Sequence, residues 1–239
     1  MSPVPILMYH NIDAPPRGVR LRGLYVKPGR FLHQMHLLRW LGYQGLSMTA
    51  ALPYLRGERS GRVAVITFDD GYRDNLENAL PVLADLGFSA TCYVVAGEIG
   101  HHNHWDAEAL GVRKPLMDAG GLRAWRQGGM EIGAHTRSHA RLTELPEPAM
   151  REEISAGRQM LEDLLGAGVP QFCYPYGAAG ERERDAVREM GFASAVTVHR
   201  GRARVGDDPW LLPRVAIGGH HGPHMFPLQI LTGYEDRRH

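Results

Sequence analysis

The chain has 239 residues, 44% of them hydrophobic and 22% charged, with a formal net charge of +1. This is the composition of a globular protein with a real core, and its charge balance gives no global field to attract nucleic acid or an anionic membrane. Two cysteines cannot form a disulfide framework, no apolar stretch is long enough to span a membrane, and the start lacks a basic segment followed by a long apolar run. A cytoplasmic protein is therefore expected.

Taken in order, the chain shows a βα rhythm. Residues 4–9 read as a strand ending at Tyr9-His10, and 28–41 as a helix with apolar residues at helical spacing. "RVAVITFDD" is a continuous apolar run ending in acids, the pattern of a strand buried on both faces. "RDNLENALPVLADLG" reads as a helix stopped by Gly87, with a kink or break at Pro81. Then come the strand "SATCYVV" and a short helix, Gly turn and strand in "LRAWRQGGMEIGAHT". A long helix follows in "PEPAMREEISAGRQMLEDLLG", with acidic residues early, where the helix dipole favours them. "QFCYPYG" is a strand, "ERERDAVREMG" a helix and "FASAVTV" a strand. Strands alternating with helices favour a parallel sheet. No Gly-rich phosphate loop follows the first strand, so a barrel or partial barrel fits better than a dinucleotide-binding fold. In barrels the reactive groups sit at the C-terminal strand ends, which here carry His10, Asp69-Asp70, His135 and Tyr174-Pro175-Tyr176.

Two of these ends suggest metal chemistry. Adjacent carboxylates repel, and a bound cation relieves that cost; the plainer reading is that Asp69 or Asp70 caps the helix that follows. In "HTRSH", His135 and His139 are four residues apart, so one helical turn between them would place both rings on one side. Two imidazoles and a carboxylate make a three-ligand site with an open position, as in catalytic rather than structural zinc centres. A divalent ion on Asp70, His135 and His139 would acidify a water and polarise a carbonyl, leaving Asp69 as general base. The turn "YPYG" is suited to present the backbone N–H of Tyr176 to an oxyanion.

"TFDDGY", "HTRSHARL" and "FCYPYG", in this order, resemble the motifs of the nodulation-factor type polysaccharide deacetylases, and the resemblance covers roughly residues 4–217. It implies a distorted (β/α)7 barrel of the α/β class and metal-dependent hydrolysis of N-acetylated sugars. It also implies Asp69 as base, Asp70, His135 and His139 as metal ligands, and the Tyr176 N–H in the oxyanion hole. Two departures stand out. Where many members have an arginine that holds the catalytic aspartate, this chain has Cys173; Arg214 in "LLPRVAI" is the candidate replacement, against a structural surface arginine. The late Leu-x-His motif that supplies the family's general acid is also missing. "ILMYHNI" resembles instead the first strand of the circularly permuted biofilm poly-N-acetylglucosamine deacetylases, which implies His10 as the acid.

Weaker signals complete the expectations. Trp105 in "GHHNHWD" and Tyr174 are the candidate substrate contacts, the alternative for the former being a solvated loop. Asp207 or Asp208 is a candidate for orienting His10. His33 and His36 are assigned to a helix surface, and residues 218–239 to an irregular tail of a single catalytic domain over 1–239. The reading is a deacetylase with one divalent ion, zinc before cobalt or nickel. Its expected partner is an N-acetylated carbohydrate substrate, with no nucleic acid and no membrane span. The rivals are another C–N hydrolase on the same scaffold, such as an amino-sugar deformylase, and a non-catalytic glycan-binding module.

Overall fold

The computed structural model describes residues 2–222 and 224–236. The first half of the chain gives β1 (Ile6–Tyr9), α1 (Pro28–Trp40), β2 (Gln44–Leu46), α2 (Met48–Leu55), β3 (Val63–Phe68), α3 (Leu80–Asp85), β4 (Thr91–Val94), α4 (Ala107–Leu110) and α5 (Ala119–Gln127). The second half gives β5 (Glu131–Ala134), α6 (Glu147–Leu165), β6 (Gln171–Cys173), α7 (Glu181–Glu189), β7 (Ser194–Arg200), β8 (Leu212–Ala216) and α8 (Met225–Leu231). All strand pairings are parallel. Strand β1 pairs with both β3 and β8, closing β1 and β3 through β8 into a ring of seven strands. Strand β2 adds to the start of β3, outside that ring. This is the (β/α)7 barrel expected from the sequence.

Alternation along the strands sorts side chains into two cores. In β3, Val63 and Val65 face the barrel interior with Ile6, Leu212 and Val196, whereas Ala64, Ile66 and Phe68 face the outer helices with Phe31, Met35 and Trp125. The strand is buried on both faces, so its sequence is continuously apolar rather than alternating. The same parity carries past the strand ends. Ile6 faces inward and Tyr9 outward, so His10 returns to the interior; Cys173 faces inward and Tyr174 outward; Leu212 and Arg214 face inward and Val215 outward. Tyr93 fills the interior beneath the mouth, opposite Gly133 of β5. A Cβ at Gly133 would lie 2.4 Å from the Tyr93 ring, so the close approach requires glycine.

Several expectations change. The run "RDNLENALPVLADLG" is helical from 73 to 85, with a π-helical turn at Asn75–Ala79 leading directly into α3; the irregularity expected around Pro81 takes the form of this turn, in which the Leu80 N–H bonds back to the Asn75 carbonyl. Strand β2 and α2 add to the elements expected from the sequence; α2 places Met48, Ala51, Leu52 and Leu55 in the inner cluster. Part of the supposed tail is α8, which buries Phe226 and Ile230 and donates from Gln229 Nε2 to the Ala216 carbonyl at 3.0 Å. Among the described residues, no helix is long and apolar enough to cross a membrane. His33 and His36 are exposed on α1, as expected.

Candidate active site

The ends of β3, β5 and β1 bring Asp69, Asp70, His135 and His10 to the mouth of the barrel, where Arg214 reaches them from the middle of β8. Asp70 Oδ1 lies 3.5 Å from His135 Nε2 and 3.4 Å from His139 Nε2. One donor atom from each of these three buried residues falls within 4.8 Å of the others. His135 Nδ1 is 2.7 Å from the Cys173 carbonyl, which assigns its proton to that nitrogen and leaves Nε2 as the ligand atom. The set fits one divalent ion: two imidazoles and a carboxylate converge, as a three-ligand centre with an open position requires. Burial holds the His139 pKa below its ordinary value, opposed by the hydrogen bond to Asp70, so the neutral imidazole suited to ligation is favoured. Burial would raise the Asp70 pKa, but the facing imidazoles of His135 and His139 bring it well below the ordinary carboxylate value.

The two histidines are not joined by a helical turn. Thr136 and His139 both have left-handed backbones, with φ of 63° and 62°. The segment is held by bonds rather than by a helix ladder: the His139 N–H donates to Thr136 Oγ1 at 3.0 Å, and the Ser138 N–H donates to Glu153 Oε2 at 2.9 Å. Helix α6 supports it at close range through Gly157, where a Cβ would be 2.5 Å from the Thr136 carbonyl carbon. Asp70 is left-handed as well, at φ 75°. That turn aims Asp70 at the histidines while Asp69 continues the inward parity of β3.

Arg214 takes the place that the motif comparison left open. Its guanidinium meets Asp69 with two parallel bonds, Nη1 to Oδ1 and Nη2 to Oδ2, both 2.7 Å. Its Nε donates to the Thr197 carbonyl at 2.7 Å, and Nη2 contacts Cys173 Sγ at 3.3 Å. Cys173 is thus the small neighbour that leaves room for an arginine arriving from β8. Burial alone would raise the Asp69 pKa, yet the charge and hydrogen bonds of Arg214 hold it below the ordinary carboxylate value. His10 Nε2 stands 3.9 Å from Asp69 Oδ2, with a fifth of its side chain exposed.

The turn after β6 has Tyr176 in the left-handed region, φ 59° and ψ 5°. Gly177 N–H donates to the Tyr174 carbonyl and Ala178 N–H to the Pro175 carbonyl. Pro175 has no N–H, so Tyr176 provides the amide of this turn that lies outside those bonds. The His139 ring is flanked on two sides: Trp105 stacks on it at 4.7 Å between centroids, and Tyr176 meets it edge-on at 4.6 Å. The Arg141 guanidinium sits 4.0 Å from the Tyr176 ring centroid.

Three residues expected at the site lie elsewhere. Tyr174 is fully buried in the outer core, packs on Phe172 and donates from its hydroxyl to the Trp210 carbonyl at 3.0 Å. It cannot contact substrate, because strand parity turns it away from the mouth that Cys173 faces. Asp207 and Asp208 do not orient His10: Asp207 accepts from the Arg204 N–H, and Asp208 from the Trp210 N–H. Residues missed in the sequence include Glu153 and Arg141, whose roles depend on a loop and a helix packing together. Asp106 was missed too, its pKa pushed up to about 6 by burial against a hydrogen bond from Asn103.

A profile described as polysaccharide deacetylase matches residues 56–195. The chain is 30% identical over 216 residues to YxkH of Bacillus subtilis, whose name assigns it only provisionally to the polysaccharide deacetylases, covering 90% of this chain and 71% of that protein. It is 19% identical to a Staphylococcus aureus poly-β-1,6-N-acetyl-D-glucosamine N-deacetylase, covering 86% of this chain and 72% of the relative. In fold it resembles the Streptococcus pyogenes deacetylase PplD, solved in complex with acetate, with a TM-score of 0.82 at 22% identity over 96% of this chain and 98% of that one. With the profile spanning more than half of the chain, and the barrel and its Asp-His-His mouth in place, the protein belongs to the polysaccharide deacetylase family, enzymes that remove acetyl groups from N-acetylated polysaccharides.

Proposed function

We propose that this enzyme hydrolyses the acetamide of an N-acetylglucosamine polymer with a zinc ion on Asp70, His135 and His139. The observation that carries the reading is the bidentate Arg214–Asp69 pair, set beside a convergent three-donor site with His10 on its other flank. When bound, the ion lowers the pKa of a water and polarises the amide carbonyl. Asp69 accepts the proton that leaves the attacking water. Arg214 keeps it ionised and fixes its orientation, which weakens it as a base while ensuring that the charged form is present at neutral pH. The Tyr176 N–H faces the oxygen on which negative charge develops, and its left-handed backbone holds that amide in place before substrate arrives. His10 gives a proton to the departing amine, without which the amine is a poor leaving group. Trp105 offers an apolar ring against which a sugar face packs. Zinc is preferred because imidazole and carboxylate suit it and because it is commonly available, since ligand affinity alone would favour copper. The polymer is suggested by the name of the Staphylococcus aureus relative.

The test is acetate release from N-acetylglucosamine oligomers by zinc-loaded protein. Asp69→Asn should lower kcat by about 10²- to 10⁴-fold and retain the metal, the range ascribed to a positioned general base. His135→Ala should lose the metal. Formate release from N-formyl sugars at higher kcat/KM would assign a deformylase instead. Wild-type turnover in Asp69→Asn would remove the base.

A further inference from the structure

The side chain of Lys114 is only 10% exposed. Its ammonium lies 2.7 Å from Asp13 Oδ2 and 2.9 Å from Asp74 Oδ2, joining residues a hundred positions apart. Asp74 is buried, and its other oxygen accepts the Ile12 N–H at 2.9 Å. Asn78 Nδ2 donates to the Ile12 carbonyl at 2.8 Å. Both backbone groups of the residue two after His10 are therefore gripped.

On its other side Lys114 belongs to the loop that carries Trp105. Its N–H donates to Asn103 Oδ1 at 2.7 Å, and Asn103 Nδ2 donates to Asp106 Oδ1 at 2.6 Å. The residues after Lys114 are laced to the turn that follows Asp69 and Asp70: Arg73 N–H donates to the Pro115 carbonyl at 3.0 Å, and Met117 N–H to the Gly71 carbonyl at 2.9 Å. A buried carboxylate such as Asp74 needs a cation beside it. Burial would lower the Lys114 pKa, but Asp74 and Asp13 raise it above the ordinary value, so it remains charged.

From this geometry we infer that Lys114 is a positioning residue, an ionic bolt that holds the loop of His10 to the loop of Trp105 over the end of β3. The inference rests on the reading of His10 as proton donor. It gives the buried ion pair a role: a proton donor must stay within hydrogen-bond reach of a nitrogen, and small displacements at such a site cost rate steeply.

The test uses the zinc-loaded enzyme and an N-acetylglucosamine oligomer. Lys114→Met with Asp74→Asn removes both charges together and leaves an acceptor for the Ile12 N–H. The pair should retain zinc and a cooperative thermal transition, lower kcat by about 10- to 100-fold and raise KM through the loosened Trp105 loop. In a His10→Ala background the same pair should change kcat by less than about twofold, since its effect passes through His10. Wild-type kcat in the folded pair overturns the inference, as does an equal fall in both backgrounds, which would make Lys114 a prop of the whole barrel. If the pair does not fold, Asp13→Asn removes only the more exposed arm. It should give the same His10-dependent fall at smaller size, and an unchanged kcat there overturns the inference. Full activity in His10→Ala alone would instead overturn the proton-donor reading, and the inference with it.

Discussion

The mouth and the base of this barrel are built on the same strands, with the same inward parity, and they solve opposite problems. At the base, Val63 and Val65 of β3 join Ile6, Val196 and Leu212, and α2 contributes Met48, Ala51, Leu52 and Leu55 to the same cluster. Its polar groups are shared within the protein: Thr91 Oγ1 donates to Glu131 at 2.5 Å, Thr49 bonds the same carboxylate, and Gln171 bonds Ser194. At the mouth, the inward positions of the same β3 lead to Thr67 and Asp69. All four non-glycine residues with positive φ among those described, Asp70, Thr136, His139 and Tyr176, are there. Strain of this kind persists only where surrounding bonds over-determine it. The difference teaches that the base supplies stability in relaxed conformations, and the mouth uses part of it to hold charged groups and amides in geometries they would not choose alone.

The sharpest way to break this division is Arg214→Met. Arg214 is fully buried, and removing it strands the Asp69 carboxylate, at a cost of about 3–5 kcal/mol at neutral pH. The sign of its pH dependence follows from the shift. In the wild type the Asp69 pKa is lowered, so its contribution is present above the unfolded carboxylate pKa of about 3.9 and fades as pH falls through the folded value. Without Arg214, burial is opposed only by the lesser effects of His10 and His135, and the Asp69 pKa moves upward. The variant then regains stability relative to wild type as acid protonates Asp69. Thermal melts from pH 7 down to about pH 4 should show the gap in Tm closing on acidification. A gap independent of pH would mean that Arg214 acts by packing alone.

Met48→Ala tests the base. Met48 is completely buried in the inner cluster, and truncation should cost about 2–5 kcal/mol by urea unfolding. Because the mouth is held by its own hydrogen bonds, kcat of the folded fraction should remain within about twofold of wild type, as expected for a site with no shared partners. A large fall in kcat would show that the mouth depends on packing at the base.

Much of the mouth was legible because its residues announce themselves by type. Adjacent aspartates after an apolar run, paired histidines and a Pro-Tyr-Gly turn each have a plain structural reading alone, but together, at successive strand ends, they supply the parts of one metal-assisted site. Strand parity carries further than the motifs alone. Counting alternate residues from Ile6 and Leu212 points His10 and Arg214 inward, and the same count from Cys173 turns Tyr174 outward. Tyr174 ends a strand as the catalytic groups do, but a strand end has two sides, and its side faces the helices. Other features had no local signal. Strand β2 has three residues, too few to show a period. The HTRSH segment reads as a helical turn by spacing, but left-handed Thr136 and His139 are stabilised by Glu153 and Gly157, residues visible only once α6 is packed against them. The Lys114 bridge spans a hundred residues and pairs groups that, in sequence, look like ordinary surface charge.

Thr136→Asn offers the finest adjustment of the same comparison. A β-branched residue at φ 63° is disfavoured by about 1–2 kcal/mol, and asparagine occupies this region more readily at nearly the same volume. Threonine is tolerated here because its Oγ1 accepts the His139 N–H, a bond that the asparagine carbonyl oxygen can replace. If strain at the mouth is local and the bond is kept, stability should rise by about 1 kcal/mol, or 2–4 °C in Tm, with metal content and kcat unchanged. A gain in Tm with a fall in kcat would be more telling. It would mean that the strained threonine sets the position of His139 and that relaxing it moves a metal ligand, so the strain itself would belong to the catalytic geometry rather than merely accompany it.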